Sequence, residues 1–499
     1  MNTRKLILFL LGVVAAYQLN AQTWTGGGSD DLWTTEDNWD GTAPVANDSL
    51  TFDGTAQTSN NNDFSAGTQF NGITFAADSG PWTLNGNAIN LAGDIFVSAN
   101  SGSLRTHVLN MDLAMQSATT AITSRINDNI TLNGVLSGTG TLVHSGAGIT
   151  TLTGENTYSG GTIINSGILS VGNDINNLGD QALTLNGGTL QVTTAGNFNS
   201  VATRTGAGRG LAVGASGGTL NIVDASGNLQ VTGVISGSGT LNVTGAGRFT
   251  PSNVNNTFSG DYNVFGGATL AVASAAEGSN VRLGSGANFD MDNGTLLFSG
   301  GLGGAENTHT RNTALGAGGG TFVLGNTGAQ NPIITWNGNI SGTGDLTIAN
   351  SGGNSGEFIL GGAVTHTGNT IINSGSTLTL ADEGGSMTFV IGANGVNNSI
   401  LGEGALNLNG VFIFDLASAS ENLDDSWAIV SHLTLDQNYG PSFSVQGFDN
   451  NGDLWTSGIY QFDQATGILT VIPEPATFSF IGGLLAIGVV FLRRRKQLL

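Results

Sequence analysis

The sequence contains no cysteine, and this absence excludes a thiol nucleophile and any stabilising disulfide. Methionine is also scarce, with five residues in 499, too few for a methionine-rich metal site. The five histidines are dispersed and lack the paired spacing of metal ligands: His107, His144, His309, His366 and His432. We therefore expect no cofactor and no metal centre, and an exported chain with this composition must gain its stability from backbone pairing and packing.

Lysine is absent between residues 22 and 472, where seven arginines face 34 acidic residues. Nucleic-acid binding depends on basic side chains that neutralise phosphates, so this balance excludes nucleic acid as a partner. A strongly acidic surface suits solubility outside the cell or contact with divalent cations.

Proline is rare, with seven residues, whereas glycine is abundant, with 80. A collagen-like helix would need much more proline and a strict glycine period, so it is excluded. Plain disorder is disfavoured because 39% of the residues are hydrophobic. Glycine combined with threonine, asparagine, valine, isoleucine and leucine is typical of many short strands joined by tight turns.

The N-terminus has the pattern of a secretory signal peptide. Arg4 and Lys5 precede an apolar run over residues 6–16, which is too short to span a bilayer. Ala21 provides a small residue before the cleavage point, so Gln22 is the predicted mature start. We expect signal peptidase to remove residues 1–21.

The C-terminus combines three features in order. Pro473, Glu474 and Pro475 lead into an uncharged stretch over residues 476–492. That stretch, as a helix at 1.5 Å per residue, would be ~25 Å long, just enough to cross a hydrocarbon core. A basic cluster follows and is predicted to stay in the cytoplasm: Arg493, Arg494, Arg495 and Lys496. A plain single-span anchor is the alternative to a processed tail.

This order of features resembles the PEP-CTERM sorting signal and covers residues 473–499. The resemblance implies recognition by an exosortase, a membrane-embedded processing protease, in a Gram-negative bacterium that makes exopolysaccharide. It also implies cleavage near Pro473, Glu474 and Pro475, with loss of the helix and the basic cluster.

Internal repeats occupy the middle of the chain. One element recurs at residues 135–142, 234–241 and 339–346, with a Ser-Gly-Thr-Gly or similar centre. Each copy is followed by a second element, at residues 156–171, 256–272 and 365–378, in which Tyr158, Phe258 and His366 occupy the same position. Apolar and polar residues alternate around glycine-rich turns, which predicts short strands with one buried face.

Two architectures suit these units: an antiparallel sandwich array or a parallel β-solenoid. Similar units often recur at roughly 20–25 residues, which favours one coil of two or three strands over hairpins spaced by about 8–12 residues. The 156–171 element resembles the autotransporter-associated β-strand repeat, and this resemblance implies a right-handed parallel β-helix. Without a recognisable C-terminal translocator barrel, the signal peptide and sorting tail would provide export instead.

The predicted organisation is all-β, with β-rich caps around the solenoid and one C-terminal transmembrane helix. Its five segments are a signal peptide (1–21), a Trp/Gly-rich cap (22–90), the solenoid (91–415), a β-rich closing module (416–472) and the sorting signal (473–499).

Two groups of residues are candidates for binding or chemistry. Trp24, Trp33 and Trp39 could stack on sugar faces, although a cap over an apolar end is the favoured interpretation. Asp290 and Asp292 alternate on a predicted strand and would share a face, as a carboxylate pair or cation site requires, although two solvated acids are favoured. The 449–453 segment, which includes Gly452, is interpreted as an Asn-Gly turn rather than a calcium loop.

The sequence therefore predicts a non-catalytic repeat protein at the cell surface or in an exopolysaccharide or biofilm matrix. A glycan-binding adhesin is the alternative, and a β-helix polysaccharide lyase or hydrolase using Asp290 or Asp292 is a third. The expected partners are signal peptidase, exosortase, the membrane before processing, and exopolysaccharide.

Overall fold

The computed structural model describes residues 21–99, 102–172, 178–179, 181–193, 197–199, 208–273, 282–299, 307–325, 331–352, 355–431 and 435–473. The chain divides into two compact units between Gly160 and Gly161. Each unit is a coil of short parallel strands, a right-handed type of β-solenoid. Within the described ranges the longest helical element is the 3₁₀ turn Glu36–Asn38.

The first unit contains three parallel stacks of strands. Stack 1A consists of Ala21–Trp24, Ser49–Phe52, Gly72–Phe75, Ile95–Val97, Thr119–Ser124 and Thr141–Gly146. Stack 1B consists of Thr68–Phe70, Ile89–Leu91, Leu113–Met115 and Leu136–Gly138. Stack 1C consists of Ser59–Asn62, Thr83–Gly86, Arg105–Leu109, Asp128–Leu132 and Ile149–Leu152.

The second unit contains four parallel stacks. Stack 2A consists of Thr162–Ile164, Leu183–Leu185, Leu211–Val213 and Ile235–Gly237. Stack 2B consists of Ile168–Val171, Thr189–Val192, Gly218–Ile222, Leu241–Thr244, Tyr262–Phe265, Phe289–Asp292, Thr313–Leu315, Ile340–Gly342, Ala363–Val364, Ser386–Val390, Val411–Asp415 and Ser444–Val445. Stack 2C consists of Asn197–Asn199, Asn228–Val231, Arg248–Pro251, Thr269–Ala273, Gly294–Ser299, Gly320–Leu324, Leu346–Asn350, Thr370–Ile372 and Ile400–Gly402. Stack 2D consists of Asn307–His309, Ile333–Trp336, Gly356–Leu360, Ser376–Leu380, Ala405–Leu408 and Asp436–Tyr439.

A five-stranded antiparallel sheet closes the described part of the second unit. Its order is Ser426–Ala428, Ile468–Val471, Tyr460–Asp463, Leu454–Ser457 and Asp449–Asn451. A hairpin joins the last two strands of that order, with Asn451 opposite Leu454 and Gly452 at φ +77°. The interpretation of the 449–453 segment as a turn is therefore confirmed.

Register follows the alternation that the sequence shows. In Gly218–Ile222 and in Gly320–Leu324 every second residue is buried, and the residues between them are half-buried. Coils vary in length, because the interval along the chain from Leu241 to its partner Tyr262 is much shorter than that from Val411 to its partner Ser444. The predicted parallel β-solenoid is confirmed, and its longest coils exceed the spacing expected from the repeated units.

The repeated elements dock on each other by the same hydrogen bonds in all three copies. In each copy the backbone N–H of a threonine in the second element donates to a carbonyl oxygen of the first element. The three bonds are Thr157 to Leu136 O (2.7 Å), Thr257 to Ile235 O (2.9 Å) and Thr365 to Ile340 O (2.7 Å). Tyr158 and Phe258 are fully buried, and His366 takes the same place with 2% exposure. The Nε2 atom of His366 lies 3.1 Å from Thr370 Oγ1, so this histidine fills a structural position.

Glycine in the repeats marks places where two backbones meet. A Cβ added at Gly160 would lie 2.2 Å from Gly140 O, and one at Gly260 would lie 2.1 Å from Gly239 O. No side chain fits at such a distance from a backbone carbonyl, so the close approach to the preceding element requires glycine at these two positions. This contact explains why the paired motifs recur together in the sequence.

Outward-facing amides form a ladder along stack 1C. Asn110 Nδ2 donates to Asn85 Oδ1 (2.7 Å), Asn133 Nδ2 donates to Asn110 Oδ1 (2.8 Å), and Thr153 Oγ1 continues the series to Asn133 Oδ1 (2.8 Å). In-register parallel strands place identical side chains above one another, so each amide can both donate and accept.

Candidate functional site

An open groove of about 370 Å³ lies on the outer face of stack 2B in the second unit. It is formed by the last residues of three neighbouring strands, Tyr262–Phe265, Phe289–Asp292 and Thr313–Leu315. The lining residues are Asn263, Val264, Phe265, Asp290, Met291, Asp292, Ala314 and Gly316. A concave surface with an aromatic ring and several convergent polar groups is the usual form of a small-molecule site.

Strand alternation decides which side chains face this groove. Tyr262, Val264, Phe289 and Met291 are buried, and the residues between them point outward. Asn263 pairs with Asp290 and Phe265 pairs with Asp292, so an amide and a ring on one strand lie beside two carboxylates on the next. The structure therefore brings Asp290 and Asp292 onto one face, as the sequence predicts.

Each carboxylate is held by a backbone N–H of the following coil. Asp290 Oδ1 accepts from the N–H of Ala314 at 2.9 Å, and Asp292 Oδ1 accepts from the N–H of Gly318 at 2.6 Å. In the part of the chain that the structure describes, neither Oδ2 atom has a hydrogen-bond partner. One oxygen of each group is thus fixed and the other is available to a ligand.

The electrostatics of the groove are negative. Partial burial raises the pKa of Asp290, and the negative charge of Asp261 raises it further, while the Ala314 hydrogen bond acts in the opposite direction. Asp261 accepts from the backbone N–H and the side-chain amide of Asn288, at 2.8 and 2.9 Å. Among the described residues that line the groove none is basic, so none of them neutralises its carboxylates.

Arg311 lies near this region but is engaged in the interior. Its side chain packs over the Tyr262 ring at 5.5 Å and donates to Leu283 O (2.8 Å) and Asn288 O (3.0 Å). Arg105 and Arg209 are buried as well, at 8% and 5% exposure against 3% for Arg311. Several of the few arginines therefore donate hydrogen bonds to backbone carbonyls in the interior and contribute little positive charge to the surface.

The three tryptophans predicted as glycan contacts are buried. Trp24 and Trp33 are 0% exposed and Trp39 is 3% exposed. Trp39 packs edge-on against both of the others, with ring centroids 5.2 Å from Trp24 and 6.2 Å from Trp33. Because neighbouring rings cover their faces, these indoles offer no surface for sugar stacking. They form an aromatic core at the first coils, as the favoured interpretation of this segment as a cap expects.

Hydrogen bonds fix that aromatic core. Trp33 Nε1 donates to Asn60 Oδ1 at 2.8 Å, and Trp39 Nε1 donates to the carbonyl of Trp33 at 2.8 Å. Asn60 belongs to the strand Ser59–Asn62, 27 residues after Trp33, so the partner comes from a later strand.

A buried ionisable cluster lies inside the first unit. Arg105 Nε donates to Asp128 Oδ1 at 2.6 Å, with side chains 9% and 0% exposed. His107 stacks on Phe75 at 4.1 Å, and its pKa is lowered to about 3 by burial, with a contribution from the charge of Arg105. These groups are shielded from solvent, so their arrangement serves the packing of the coil rather than chemistry on a ligand.

The processing residues lie at the limits of the described chain. Ala21 is exposed and opens the first strand, Gln22 is half-buried, and Pro473 is exposed two residues after the last strand. Residues 1–20, Glu474, Pro475, the 476–492 stretch and Arg493 to Lys496 lie outside the described residues. Within the described residues, no helix has the length and apolar character needed to cross a bilayer. The transmembrane helix predicted over residues 476–492 lies outside them.

The described residues hold no group of three or more histidine or acidic side chains arranged for a metal ion.

Phe265 was missed by reasoning from the sequence, although its exposed position could have been recognised. In Tyr262–Phe265 it lies on the outward face together with Asn263, where the alternation predicts a polar residue.

Comparison with known proteins supports the repeat assignment. A family model described as Passenger-associated-transport-repeat matches residues 142–171, which include the first copy of the second repeated element. The chain is also similar to the adhesin BmaC autotransporter of Brucella suis biovar 1 (strain 1330), with 33% identity over 310 residues. That alignment covers 58% of this chain and 8% of the relative, so the chain spans only a small part of that protein's length. The predicted resemblance to autotransporter-associated repeats is confirmed.

Proposed function

We propose that this chain is an exported, non-catalytic repeat protein of a Gram-negative cell surface or extracellular matrix. The observation that carries the proposal is the similarity over 310 residues to an autotransporter adhesin, together with the parallel β-solenoid. The small number of basic residues and the burial of several arginines also favour a hydrated, acidic exterior.

The export route rests on the two ends of the sequence. The signal-peptide pattern at residues 1–21 favours cleavage by signal peptidase before Gln22. The order of Pro473, Glu474 and Pro475, an apolar stretch and a basic cluster favours retention at the membrane followed by exosortase cleavage. Association with exopolysaccharide or biofilm is the expected outcome of that route.

Mass spectrometry of the protein from its native host, combined with cell fractionation, tests this route. We expect a surface or extracellular product that starts at Gln22 and ends near Pro475. A variant with alanine at Pro473, Glu474 and Pro475 should accumulate as the membrane-held precursor. Recovery of Arg493 to Leu499 in most wild-type molecules would reject processing, and a cytoplasmic location would reject the proposed function as a whole.

Adhesion through glycan binding is the second candidate function. Two observations favour it: the similar protein from Brucella suis is an adhesin, and the outer-face groove contains an exposed aromatic ring. Glycan-array binding by the purified chain tests it.

The enzymatic alternative predicts turnover of polysaccharides that is lost in Asp290→Asn or Asp292→Asn. We expect no turnover with either the wild type or the variants.

A further inference from the structure

We propose that the groove beside Phe265 is a saccharide subsite that selects sugars bearing a protonated amine, as in a polymer of glucosamine. The proposal rests on the adhesin form of the proposed function and names its ligand class. It commits to one occupant because three features of the groove act together: an exposed ring, two oriented carboxylates, and a described lining that contains no basic residue.

Phe265 provides the stacking surface. It is 37% exposed and is the one aromatic among the large hydrophobic residues that stand exposed in the described part of the chain. This outward phenylalanine at a strand end keeps part of its ring in solvent, and the apolar face of a sugar ring or an adjacent ammonium group can lie against that part. The groove of about 370 Å³ is in the range of small-molecule sites and is open, so a polymer can pass across it.

The carboxylates provide the selectivity. Asp292 pairs in register with Phe265, and Asp290 lies two residues earlier on the same strand and the same face. Backbone N–H groups of the next coil fix one oxygen of each carboxylate, which orients the other before a ligand arrives. A cationic sugar would be attracted here, a neutral sugar would lose the charge interaction, and a uronic-acid polymer would be repelled.

The same stack contains a natural comparison position. Val390 is also 37% exposed and pairs in register with Asp415, as Phe265 pairs with Asp292. That second pair places an apolar side chain beside an acid but has no aromatic ring, and neither residue lines the groove. Val390 and Asp415 therefore offer matched controls for the effect of the ring and of the local shape.

The test is titration calorimetry of the purified full chain with hexaglucosamine, its fully N-acetylated form, and a galacturonate hexamer. Of the three oligomers, we expect measurable binding of hexaglucosamine only, and this binding should weaken as salt is added. Phe265→Ala should weaken binding about three- to fivefold, which is the range for an exposed cation–aromatic contact. Asp292→Asn should weaken it by up to about fivefold, and Val390→Ala and Asp415→Asn should leave it unchanged.

Three outcomes would overturn the proposal. Equal binding of the N-acetylated oligomer would show that charge does not select the ligand, and equal loss in the control variants would show that the groove is not the site. Equally tight binding of hexalysine would assign the surface to basic peptides instead. Because the assay uses purified protein, a surface-located chain that fails to bind rejects this subsite alone, whereas a binding chain found in the cytoplasm rejects the proposed function.

Discussion

The aromatic core at residues 24–39 and the groove around Phe265 contain the same kinds of side chain in opposite environments. In the first unit, Trp33 donates to an asparagine and is covered by rings, and in the second unit Phe265 lies beside Asp292 in the open. Acidic residues differ in the same way, since Asp128 is fully buried against Arg105 whereas Asp292 is exposed. Position in the coil, rather than residue type, therefore decides whether a ring or a carboxylate stabilises the fold or is displayed.

The largest expected effect is the pH dependence of the free energy of unfolding, which comes from histidines buried in the interior. Burial lowers the pKa of His107 and His309 to about 3 and that of His144 to about 4, so these rings bind protons more readily in the unfolded chain. The free energy of unfolding should be highest above pH 6.5 and decrease as the pH falls toward the folded-state values. Between pH 7 and 5 the loss is about 2 kcal/mol for each histidine.

Urea unfolding at pH 7 and pH 5 measures this loss. The variant His144→Leu should reduce the dependence, because the ring nitrogens of His144 have no hydrogen-bond partner among the described residues. A midpoint that stays constant over this range would show that the histidines are accessible to protons in the folded state, and the contrast between interior and surface would fail.

Truncation of a buried tryptophan should cause the next largest loss in the free energy of unfolding. Trp33→Ala removes a fully buried ring and its bond to Asn60, so we expect a loss of about 4 kcal/mol in the free energy of unfolding. The unfolding midpoint of the purified chain measures it, with Trp33→Phe as the milder control. A near-neutral result would mean that the tryptophans are exposed, and would restore them as candidates for sugar contact.

Neutralising a buried carboxylate and an exposed one compares the two environments directly. Asp128→Asn leaves Arg105 buried without its counter-charge, although Arg105 keeps its bond to Ser79 O at 2.6 Å, so we expect a loss of about 3 kcal/mol. The same change at exposed Asp292 should alter stability by less than about 0.5 kcal/mol. Similar midpoints for the two variants would contradict the assigned burial.

The smallest effect among the aromatic truncations is expected at Phe265. Phe265→Ala should lower the free energy of unfolding by about 1 kcal/mol at most, because this ring is only partly buried. Denaturation midpoints of this variant and of the matched Val390→Ala variant should agree within error. A large loss in Phe265→Ala alone would show that the ring is part of the packing and would remove it from the proposed subsite.

Much of the fold could be predicted from local patterns. Alternation around strands such as Gly218–Ile222 and the recurrence of the paired elements depend on neighbouring residues, which the sequence displays directly. The burial of Trp33 could not be predicted in this way, because its cover comes from Trp39, Phe52 and Phe70, and its hydrogen-bond partner Asn60 lies 27 residues away.

The candidate site was predicted in part. The shared face of Asp290 and Asp292 follows from their spacing on one strand. Their fixed oxygens and the adjacent ring depend on Ala314, Gly318 and Phe265, which belong to other coils. Because the coils of this stack differ in length, these pairings cannot be found by counting a constant interval along the chain.

The most direct test of in-register parallel stacking uses the absence of cysteine in the natural chain. Thr321 pairs with Thr347, and neighbouring strands lie ~4.8 Å apart, a Cα separation that a disulfide can bridge. We predict that a Thr321→Cys, Thr347→Cys double variant forms an intramolecular disulfide under mild oxidation. A Thr321→Cys, Ala349→Cys variant, offset by two residues to about 8 Å, should remain reduced. Equal cross-linking of both variants, or cross-linking of the offset pair alone, would contradict the register on which the buried core and the displayed groove depend.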